Sequence, residues 1–125
     1  MKNLRNFYKN KKILITGHTG FKGSWLAFAL INFGANVYGY SLKSKSYLSN
    51  FKILSLDKLV NNKYSDIRDK KNLYKVAEKF KPDIIFHLAA QALVKRSYED
   101  PVFTIETNIN GTLNVLNIAK NNKNL

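Results

Sequence analysis

Three glycines spaced three residues apart, between two apolar segments, constrain this chain more than any other feature. They are Gly17, Gly20 and Gly23. The segment before them, Lys12–Thr16, is short, apolar and partly β-branched, which is typical of a buried parallel strand. The segment after them, Ser24–Phe33, is apolar on nearly all sides and predicts a helix that ends at Gly34. The sequence therefore predicts a strand that turns through a glycine loop directly into a helix.

Strand and helix patterns alternate along the rest of the chain. We predict strands at Asn36–Leu42, Asn62–Ser65 and Asp83–Leu88, a loop with one short helix at 43–60, and a polar, frayed lead-in at 1–11. Asp69 and Asp100 have the N-cap pattern that begins a helix; Pro82 ends the first helix, and the second runs to about Lys120. Their apolar stripes are Leu73, Val76, Ala77 and Phe80 in the first helix, and Val102, Ile105, Ile109, Leu113 and Leu116 in the second.

These elements predict one α/β domain. The strands are too apolar to keep one face in water, so helices should cover both faces of the sheet. We expect a doubly wound parallel sheet of about four strands; a Rossmann-like fold, the strand order 3-2-1-4 and truncation of the sheet are expectations that follow from the family resemblance described below. A chain of 125 residues with 45% hydrophobic residues is long and apolar enough for one packed core, and too short for two independent domains.

The glycine loop has the residues that a pyrophosphate site requires. One glycine permits the tight turn, the second lets backbone N–H groups approach the phosphates, and the third lets the helix pack closely on the sheet. The positive end of the helix dipole then faces the anion. The spacing is G-x-x-G-x-x-G, and no Gly-Lys-Ser/Thr follows, which disfavours nucleoside triphosphate hydrolysis. A glycine-rich turn that binds nothing is the alternative.

Charge and composition restrict the partners. The chain has 21 Lys and Arg residues and 8 Asp and Glu residues, which gives a formal net charge of +13. Such a charge is typical of proteins that bind nucleic acid. However, 18 of the basic residues are lysines spread along the whole chain beside 16 asparagines, so we interpret the charge as a compositional bias and expect no nucleic acid partner. There is no cysteine, and His18 and His87 lie far apart, so we expect no metal site.

Targeting and membrane segments are not predicted. Only Ile13–Ile15 follows the basic N-terminal residues as an apolar run, whereas a secretory signal requires about 7–15 apolar residues. The longest apolar stretch, Trp25–Phe33, is interrupted by Asn32 and is shorter than the roughly 20 residues of a membrane span. We therefore expect a cytoplasmic protein without a membrane partner.

Four motifs in a fixed order carry a family resemblance. They are Gly17-x-x-Gly20-x-x-Gly23, Asp66-Ile67-Arg68-Asp69, His87-Leu88-Ala89-Ala90-Gln91 and Thr107-Asn108-x-x-Gly111-Thr112-x-Asn114. Together they resemble the extended short-chain dehydrogenase/reductase family, in its nucleotide-sugar branch. Within that branch, Thr16–Leu26 and Ala89–Val94, with Ser97-Tyr98 and Pro101, look most like the CDP-glucose 4,6-dehydratases. The resemblance spans residues 12–119, roughly the first third of a full-length member.

The resemblance implies a site for NAD. The residues that it assigns to cofactor binding are Gly17, Thr19, Gly20, Phe21, Lys22, Gly23, Asp66, Ile67, Leu88, Ala89, Ala90, Thr107 and Asn108. By this analogy the glycines and nearby amides hold the pyrophosphate, Asp66 accepts from the adenine amino group, and Ile67 packs on the adenine ring. Ala89 and Ala90 let the backbone pass close to ribose and nicotinamide. His87 is interpreted as an ordinary strand residue, and His18 as structural or functional with equal weight.

The choice of NAD over NADP rests on the resemblance alone. Many NAD-binding folds have Asp or Glu after the second strand, on the ribose 2′-hydroxyl. Here Tyr40-Ser41-Leu42-Lys43 occupies that position, and Lys43 and Lys45 could favour a 2′-phosphate. The related branch uses NAD with a similar segment, so NAD is the expected cofactor.

The resemblance implies NAD-dependent conversion of CDP-glucose to CDP-4-keto-6-deoxyglucose by a full-length enzyme, a lyase that acts as a homo-oligomer on a nucleotide sugar. Residues 1–125 would be its NAD-binding portion, without the catalytic Tyr-x-x-x-Lys segment or the substrate domain, and hence without catalytic residues. Tyr8 and Lys12 have that spacing, but they precede the first strand and lie away from the ligand edge. An NAD(P)-dependent sugar epimerase or reductase and a non-catalytic binding module remain alternatives.

We expect the 125-residue chain to show no turnover of CDP-glucose, because no Tyr-x-x-x-Lys pair is placed for proton abstraction. The measurement is the formation of the 4-keto-6-deoxy sugar in the presence of NAD. Product above the background of a no-protein control would contradict this expectation.

Overall fold

A parallel sheet forms the centre of the computed structural model, which describes residues 2–44, 46–123 and 125. Its strands are β1 (Lys12–Thr16), β2 (Asn36–Ser41), β3 (Asn61–Tyr64) and β4 (Ile84–His87). They lie in the order β3-β2-β1-β4, and all three pairings are parallel. The predicted fold class and strand order are confirmed. Because every strand runs in the same direction, the loops that follow the strands meet at one edge of the sheet.

Helices connect the strands and cover the sheet. They are α1 (Lys2–Tyr8), α2 (Phe21–Asn32), α3 (Asn50–Ile53), α4 (Leu56–Leu59), α5 (Lys70–Phe80), α6 (Val94–Glu99), α7 (Pro101–Ile105) and α8 (Gly111–Asn121). A π-helical turn, Glu106–Asn110, joins α7 to α8, so the last three segments form one continuous helix. No helix among the described residues combines the length and apolar character needed to cross a bilayer.

The core consists of two layers, one on each face of the sheet. Ile13 and Ile15 of β1 point to the face covered by α2, α3 and α4, where they pack with Ala27, Leu30, Val37, Phe51, Leu56 and Val60. Leu14 points to the opposite face, covered by α5 and α8, where it packs with Tyr40, Ile67, Leu73, Ala77, Val115 and Ile118. The alternation follows from the two-residue period of a strand. Burial of β1 on both faces explains its continuous apolar sequence.

The N-cap predictions for two helices agree with the structure. The Asp69 carboxylate accepts a hydrogen bond from the backbone N–H of Asn72, and α5 begins directly after it. The Asp100 carboxylate accepts from the N–H of Phe103, with Pro101 as the first residue of α7. Each carboxylate satisfies an N–H group that the first helical turn leaves without a partner.

The prediction of a frayed lead-in at 1–11 is wrong, because residues Lys2–Tyr8 form α1. The Arg5 guanidinium donates to the carbonyl oxygen of Asn32 at 3.1 Å, and the Tyr8 ring stacks on Phe33. These contacts join α1 to the far end of α2.

The apolar stripe that predicts the last helix is not the face that packs on the sheet. The stripe Val102, Ile105, Ile109, Leu113 and Leu116 is 52–66% exposed. The buried face instead has Thr107, Gly111, Asn114, Val115 and Ile118. Gly111 and Asn114 face inward because they contact Ile67 in the segment after β3. Two further differences are a second short helix within 43–60 and the unpredicted helix α6.

Candidate functional site

One cavity of about 240 Å³ lies at the edge where the strands end, and we call it the glycine-loop cavity. Its lining residues are Gly17, Thr19, Gly20, Tyr40, Ser41, Leu42, Ser65, Asp66, Ile67, Leu88, Ala89, Ala90, Phe103 and Thr107. They come from the end of β2, from the segments after the four strands and from the last helix. The structure thus brings most of the predicted cofactor residues together, although they are up to 90 positions apart in sequence.

Gly17 allows the tight exit from β1 and the close approach of the segment after β4. Its φ is +76°, in the left-handed region that favours glycine. A Cβ atom at this position would lie 2.7 Å from the backbone nitrogen of Ala89 and the carbonyl group of Leu88. Gly17 N–H donates to the carbonyl oxygen of Tyr40 at 2.9 Å, which ties the loop to β2. A side chain at position 17 would therefore overlap the backbone of the segment after β4.

Gly20 and Gly23 have different roles in the loop. Gly20 is the N-cap residue of α2, and no side chain caps this helix end. Gly23 is buried under the loop, where a Cβ atom would overlap the carbonyl group of Gly17. The side chains of Phe21 and Lys22 are exposed and do not line the cavity. Of these four residues only Gly20 lines the cavity, at the N-terminal end of α2, where the positive end of the helix dipole favours an anion.

Thr19 links the glycine loop to the end of β2. Its hydroxyl donates to the carbonyl oxygen of Leu42 at 2.9 Å, and it accepts from the Ser41 hydroxyl at 2.8 Å. Asp66 is the one carboxylate among the residues that line the cavity, and it belongs to the segment after β3. The position after β2 therefore offers hydroxyl and backbone groups instead of a carboxylate. Lys45, which the sequence analysis considered as a contact for a ribose 2′-phosphate, lies outside the described residues.

His18 is a structural residue of the loop. Its ring is fully buried, in edge contact with Phe51 and stacked near Tyr64. The ring occupies the space over Gly39 of β2, where a Cβ atom would overlap it. No hydrogen bond of good geometry reaches either ring nitrogen among the described residues, and the Tyr40 backbone is a polar neighbour that raises the pKa of the ring less than burial lowers it. Burial lowers the pKa of His18 from 6.5 to about 4, so the imidazole is neutral near pH 7.

Asp66 is held by Arg68 at the end of the cavity formed by β3. Its Oδ1 accepts from the backbone N–H of Arg68 at 2.9 Å and from Nε at 3.1 Å, and its Oδ2 accepts from Nη2 at 3.0 Å. These hydrogen bonds hold the pKa of Asp66 below its ordinary value. A carboxylate has about four acceptor positions, so Oδ2 keeps about one for a further donor.

Arg68 also connects this turn to the last helix. Its Nη1 donates to the Glu106 carboxylate at 2.8 Å, and its guanidinium lies 4.6 Å from the centre of the Phe103 ring. The Arg96 guanidinium lies 4.3 Å from the same ring. These cation–π contacts with Arg68 and Arg96 hold the Phe103 ring in place. Phe103 lines the cavity.

Ile67 is positioned by α8. Its side chain packs against Gly111, where an added Cβ atom would lie only 2.7 Å from Ile67 Cγ2. The Asn114 side-chain amide donates to the carbonyl oxygen of Ile67 at 3.1 Å. The Gly111 and Asn114 of the fourth sequence motif therefore hold the second motif in place.

Thr107 and Asn108 are neighbours with different surroundings. Thr107 is buried and lines the cavity, and its Oγ1 has no hydrogen-bond partner among the described residues. The Asn108 side chain accepts from the Gln91 N–H at 2.8 Å and donates to the Gln91 carbonyl at 3.0 Å. Asn108 therefore holds the segment after β4 and does not line the cavity.

Several cavity residues were not predicted as binding residues. They are Tyr40, Ser41, Leu42, Ser65 and Phe103. Ser41 is the last residue of β2, and Leu42 and Ser65 directly follow β2 and β3, so the rule that ligands bind at the carboxyl edge could have included them. Phe103 had no such signal, because its place depends on contacts with Arg68 and Arg96.

A larger cavity, of about 490 Å³, lies at the opposite edge of the sheet between α5 and α8. Its lining includes Tyr74, Ala77 and Ile118 but none of the motif residues. It has no glycine loop and no helix N-terminus, so we place the functional site in the smaller cavity. Among the described residues, no three His, Cys, Asp or Glu side chains are grouped as metal ligands would be.

Comparisons with known proteins identify the family. A model of the GDP-mannose 4,6 dehydratase family matches residues 14–125. The chain belongs to this family. The resemblance to the nucleotide-sugar branch of the extended short-chain dehydrogenases/reductases is thereby confirmed, and the chain is homologous to the N-terminal region of nucleotide-sugar 4,6-dehydratases and epimerases.

Relatives of this dehydratase family match most of the chain. A CDP-glucose 4,6-dehydratase from Salmonella typhimurium is 46% identical over 116 residues, 93% of this chain and 32% of that protein. The epimerase Mth375 from Methanothermobacter thermautotrophicus has a TM-score of 0.84 at 32% identity, over 98% of this chain and 35% of that one. The Thermus thermophilus UDP-glucose 4-epimerase, solved with NAD, has a TM-score of 0.77 at 34% identity. The match covers 88% of this chain and 34% of that one. The chain thus spans about a third of the length of these relatives.

Proposed function

We propose that residues 1–125 are the NAD-binding part of a CDP-glucose 4,6-dehydratase, which as a whole converts CDP-glucose to CDP-4-keto-6-deoxyglucose. One observation carries the proposal: the glycine loop, Asp66-Ile67, Ala89-Ala90 and Thr107 line a single cavity at the carboxyl edge of the sheet. A dinucleotide binds at this edge of an open parallel sheet, beside the first strand. The 46% identity to a CDP-glucose 4,6-dehydratase supports the choice of substrate.

The residues of the cavity fit NAD. The N-terminus of α2 has no side-chain cap, so its first N–H groups can bind the pyrophosphate. Asp66 Oδ2 keeps an acceptor position for the adenine amino group, and Ile67 is fixed beside it. The buried Thr107 hydroxyl lacks a protein partner among the described residues and can bond to the cofactor. When bound, the nicotinamide of NAD supplies hydride transfer; this chain binds the cofactor, orients it and shields it from water.

The test is the binding of NAD to the 125-residue chain, measured by isothermal titration calorimetry. We expect saturable binding of one NAD per chain. A matched ligand, nicotinamide hypoxanthine dinucleotide, has a carbonyl oxygen in place of the adenine amino group. We expect it to bind roughly 10- to 100-fold more weakly, because the hydrogen bond to the charged Asp66 carboxylate is lost.

An Asp66→Asn variant is the protein-side control. It should bind NAD more weakly and discriminate less between the two dinucleotides, because an amide accepts less strongly than a carboxylate. NADP is tested in the same titration, since the segment after β2 has no carboxylate that would reject a 2′-phosphate. Absence of NAD binding by the folded wild-type chain would contradict the proposal. Equal affinity of the wild-type chain for NAD and for nicotinamide hypoxanthine dinucleotide would also contradict it.

An NAD-dependent nucleotide-sugar epimerase is the second candidate. Solved structures similar to this chain include three UDP-glucose 4-epimerases that are 28–34% identical to it, with TM-scores of 0.77–0.80. Two of these epimerases were solved with NAD, so binding of NAD by the chain does not separate the two candidates. The distinguishing measurement is product analysis with a longer form of the protein that includes the Tyr-x-x-x-Lys segment. Release of a 4-keto-6-deoxy sugar supports the dehydratase, and inversion at C4 supports the epimerase.

A further inference from the structure

A series of hydrogen bonds runs from β1 through β4 to the π-helical turn, and His87 is at its centre. Thr16 Oγ1 lies 2.6 Å from His87 Nδ1, and His87 Nε2 lies 3.1 Å from Thr112 Oγ1. The Thr112 hydroxyl donates to the carbonyl oxygen of Asn108 at 2.6 Å. We call this the His87 series. It joins three elements at the edge of the sheet that carries the glycine-loop cavity.

The donors and acceptors at both ends assign one tautomer to His87. Thr16 Oγ1 already accepts from two backbone amides of the segment after β4, so its own proton is available for His87 Nδ1. The Thr112 hydroxyl uses its single proton on Asn108, so it must accept from Nε2. His87 therefore carries its proton on Nε2 and is neutral, the form that burial favours by lowering its pKa.

The π-helical turn depends on side chains for its position. Its closing backbone hydrogen bond spans five residues instead of four, which widens the helix at this point. Thr112 satisfies the Asn108 carbonyl, and the Asn108 side chain forms two hydrogen bonds with the backbone of Gln91. The turn is thus attached to β4 by His87 and to the following segment by Asn108.

The same turn presents Thr107 to the glycine-loop cavity. The Thr107 hydroxyl is buried, and no protein group among the described residues is its partner. A buried hydroxyl without a partner costs free energy, which a ligand atom in the cavity would recover. Any shift of the turn along the helix axis would move this hydroxyl relative to Ala89 and Ala90 on the opposite wall.

We propose that His87 is a positioning residue: through Thr112 it fixes the π-helical turn against the ends of β1 and β4 and so sets the place of Thr107 in the cavity. The effect on NAD rests on the proposed function, whereas the hydrogen-bond series does not. His87 is a strand residue, as the sequence predicted, and the last one of β4; the proposal adds a positioning role to that place in the strand. Asn108 and Thr112, which belong to the fourth sequence motif, contribute by holding the π-helical turn in place. Neither residue lines the cavity.

Three measurements on the 125-residue chain test the proposal without NAD. The imidazole nitrogen shifts of His87, assigned by comparison with His87→Phe, should show protonation at Nε2 only. In Thr112→Val the hydroxyl is lost at nearly constant volume, and amide exchange at Gln91 should rise about fivefold, the factor expected for one lost hydrogen bond. Thr112→Ser keeps the hydroxyl and should restore the wild-type rate.

The Gly17 amide, which bonds to Tyr40 on the other side of β1, is the internal reference for exchange. Its rate should stay constant in Thr112→Val, because a positioning effect is confined to the turn. Protonation at Nδ1, an unchanged Gln91 rate in Thr112→Val, or an equal rise at Gly17 and Gln91 would each overturn the proposal. In His87→Gln the side-chain amide nitrogen can reach the place of Nε2. The amide exchange rate at Gln91 should therefore be lower in His87→Gln than in His87→Phe.

NAD affinity is measured on the same variants. We expect Thr112→Val to weaken NAD binding about fivefold and Thr112→Ser to restore it, since only the place of Thr107 changes. If the wild-type chain does not bind NAD, the proposed function fails, and the exchange and tautomer measurements still decide the role of His87. If NAD binds equally to all variants while Gln91 exchange responds, the link from the turn to the cavity is refuted.

Discussion

Gly23→Ala is expected to destabilise the chain by about 3 kcal/mol or more, because the new methyl group would overlap backbone atoms that cannot move independently. The overlapped carbonyl belongs to Gly17, which is itself held by the N–H···O bond to Tyr40. Relief would require α2 to move away from β1, across the buried contacts of Ala27 and Leu30. The measurement is urea denaturation followed by circular dichroism.

Gly20→Ala is the matched control in the same loop. A Cβ atom there would lie 3.3 Å from the carbonyl oxygen of Gly17, and the φ of −75° suits any residue. Its cost should stay within about 1 kcal/mol, since alanine also reduces the entropy of the unfolded chain. Equal stability losses for the two variants would show that the close packing of α2 on the loop is not what position 23 requires.

The second large effect is a loss of stability in acid caused by His18. The pKa of His18 is about 4 in the folded chain and 6.5 when unfolded, so the unfolded state binds the extra proton between these values. Stability is therefore complete above about pH 7 and falls as the pH drops toward 4. The difference corresponds to about 3 kcal/mol, a large part of the stability of a small domain.

A His18→Phe variant isolates this contribution. Phenylalanine fills nearly the same space between Phe51 and Gly39 but cannot be protonated. The free energy of unfolding, measured by urea titration at several pH values, should vary less between about pH 4.5 and 7 in the variant than in the wild type. His87, whose pKa burial also lowers, remains in both proteins and gives a common background. Parallel pH profiles would exclude His18 as the acid-sensitive group.

The sequence allowed the fold to be predicted where the signal is local. The strand Lys12–Thr16, the N-cap Asp69 and the stop at Pro82 were each indicated by neighbouring residues. The strand order followed from alternation and from the family motifs. The site residues of the glycine loop, Asp66-Ile67 and Ala89-Ala90 could be grouped because all follow strands whose carboxyl ends share one edge.

What could not be predicted depends on distant partners. Helix α1 is held by Asn32 and Phe33 at the end of α2, which no pattern within 1–11 reveals. The buried face of α8 is determined by contacts with Ile67 in the segment after β3. Gly111 packs against its side chain and Asn114 bonds to its carbonyl oxygen, so these two residues face inward and the leucines of the apolar stripe do not. The role of His87 depends on hydroxyl groups 71 positions before it and 25 positions after it in the chain.

The ring of His18 lies in the space that the missing side chain of Gly39 leaves on β2. The glycine loop therefore extends, as a functional unit, to a residue of the adjacent strand. A protein engineer who transplants the loop onto another parallel sheet would have to bring a glycine at the facing position with it. Otherwise the imidazole would be forced out of the space over that strand, and the backbone of the glycine loop would be displaced with it.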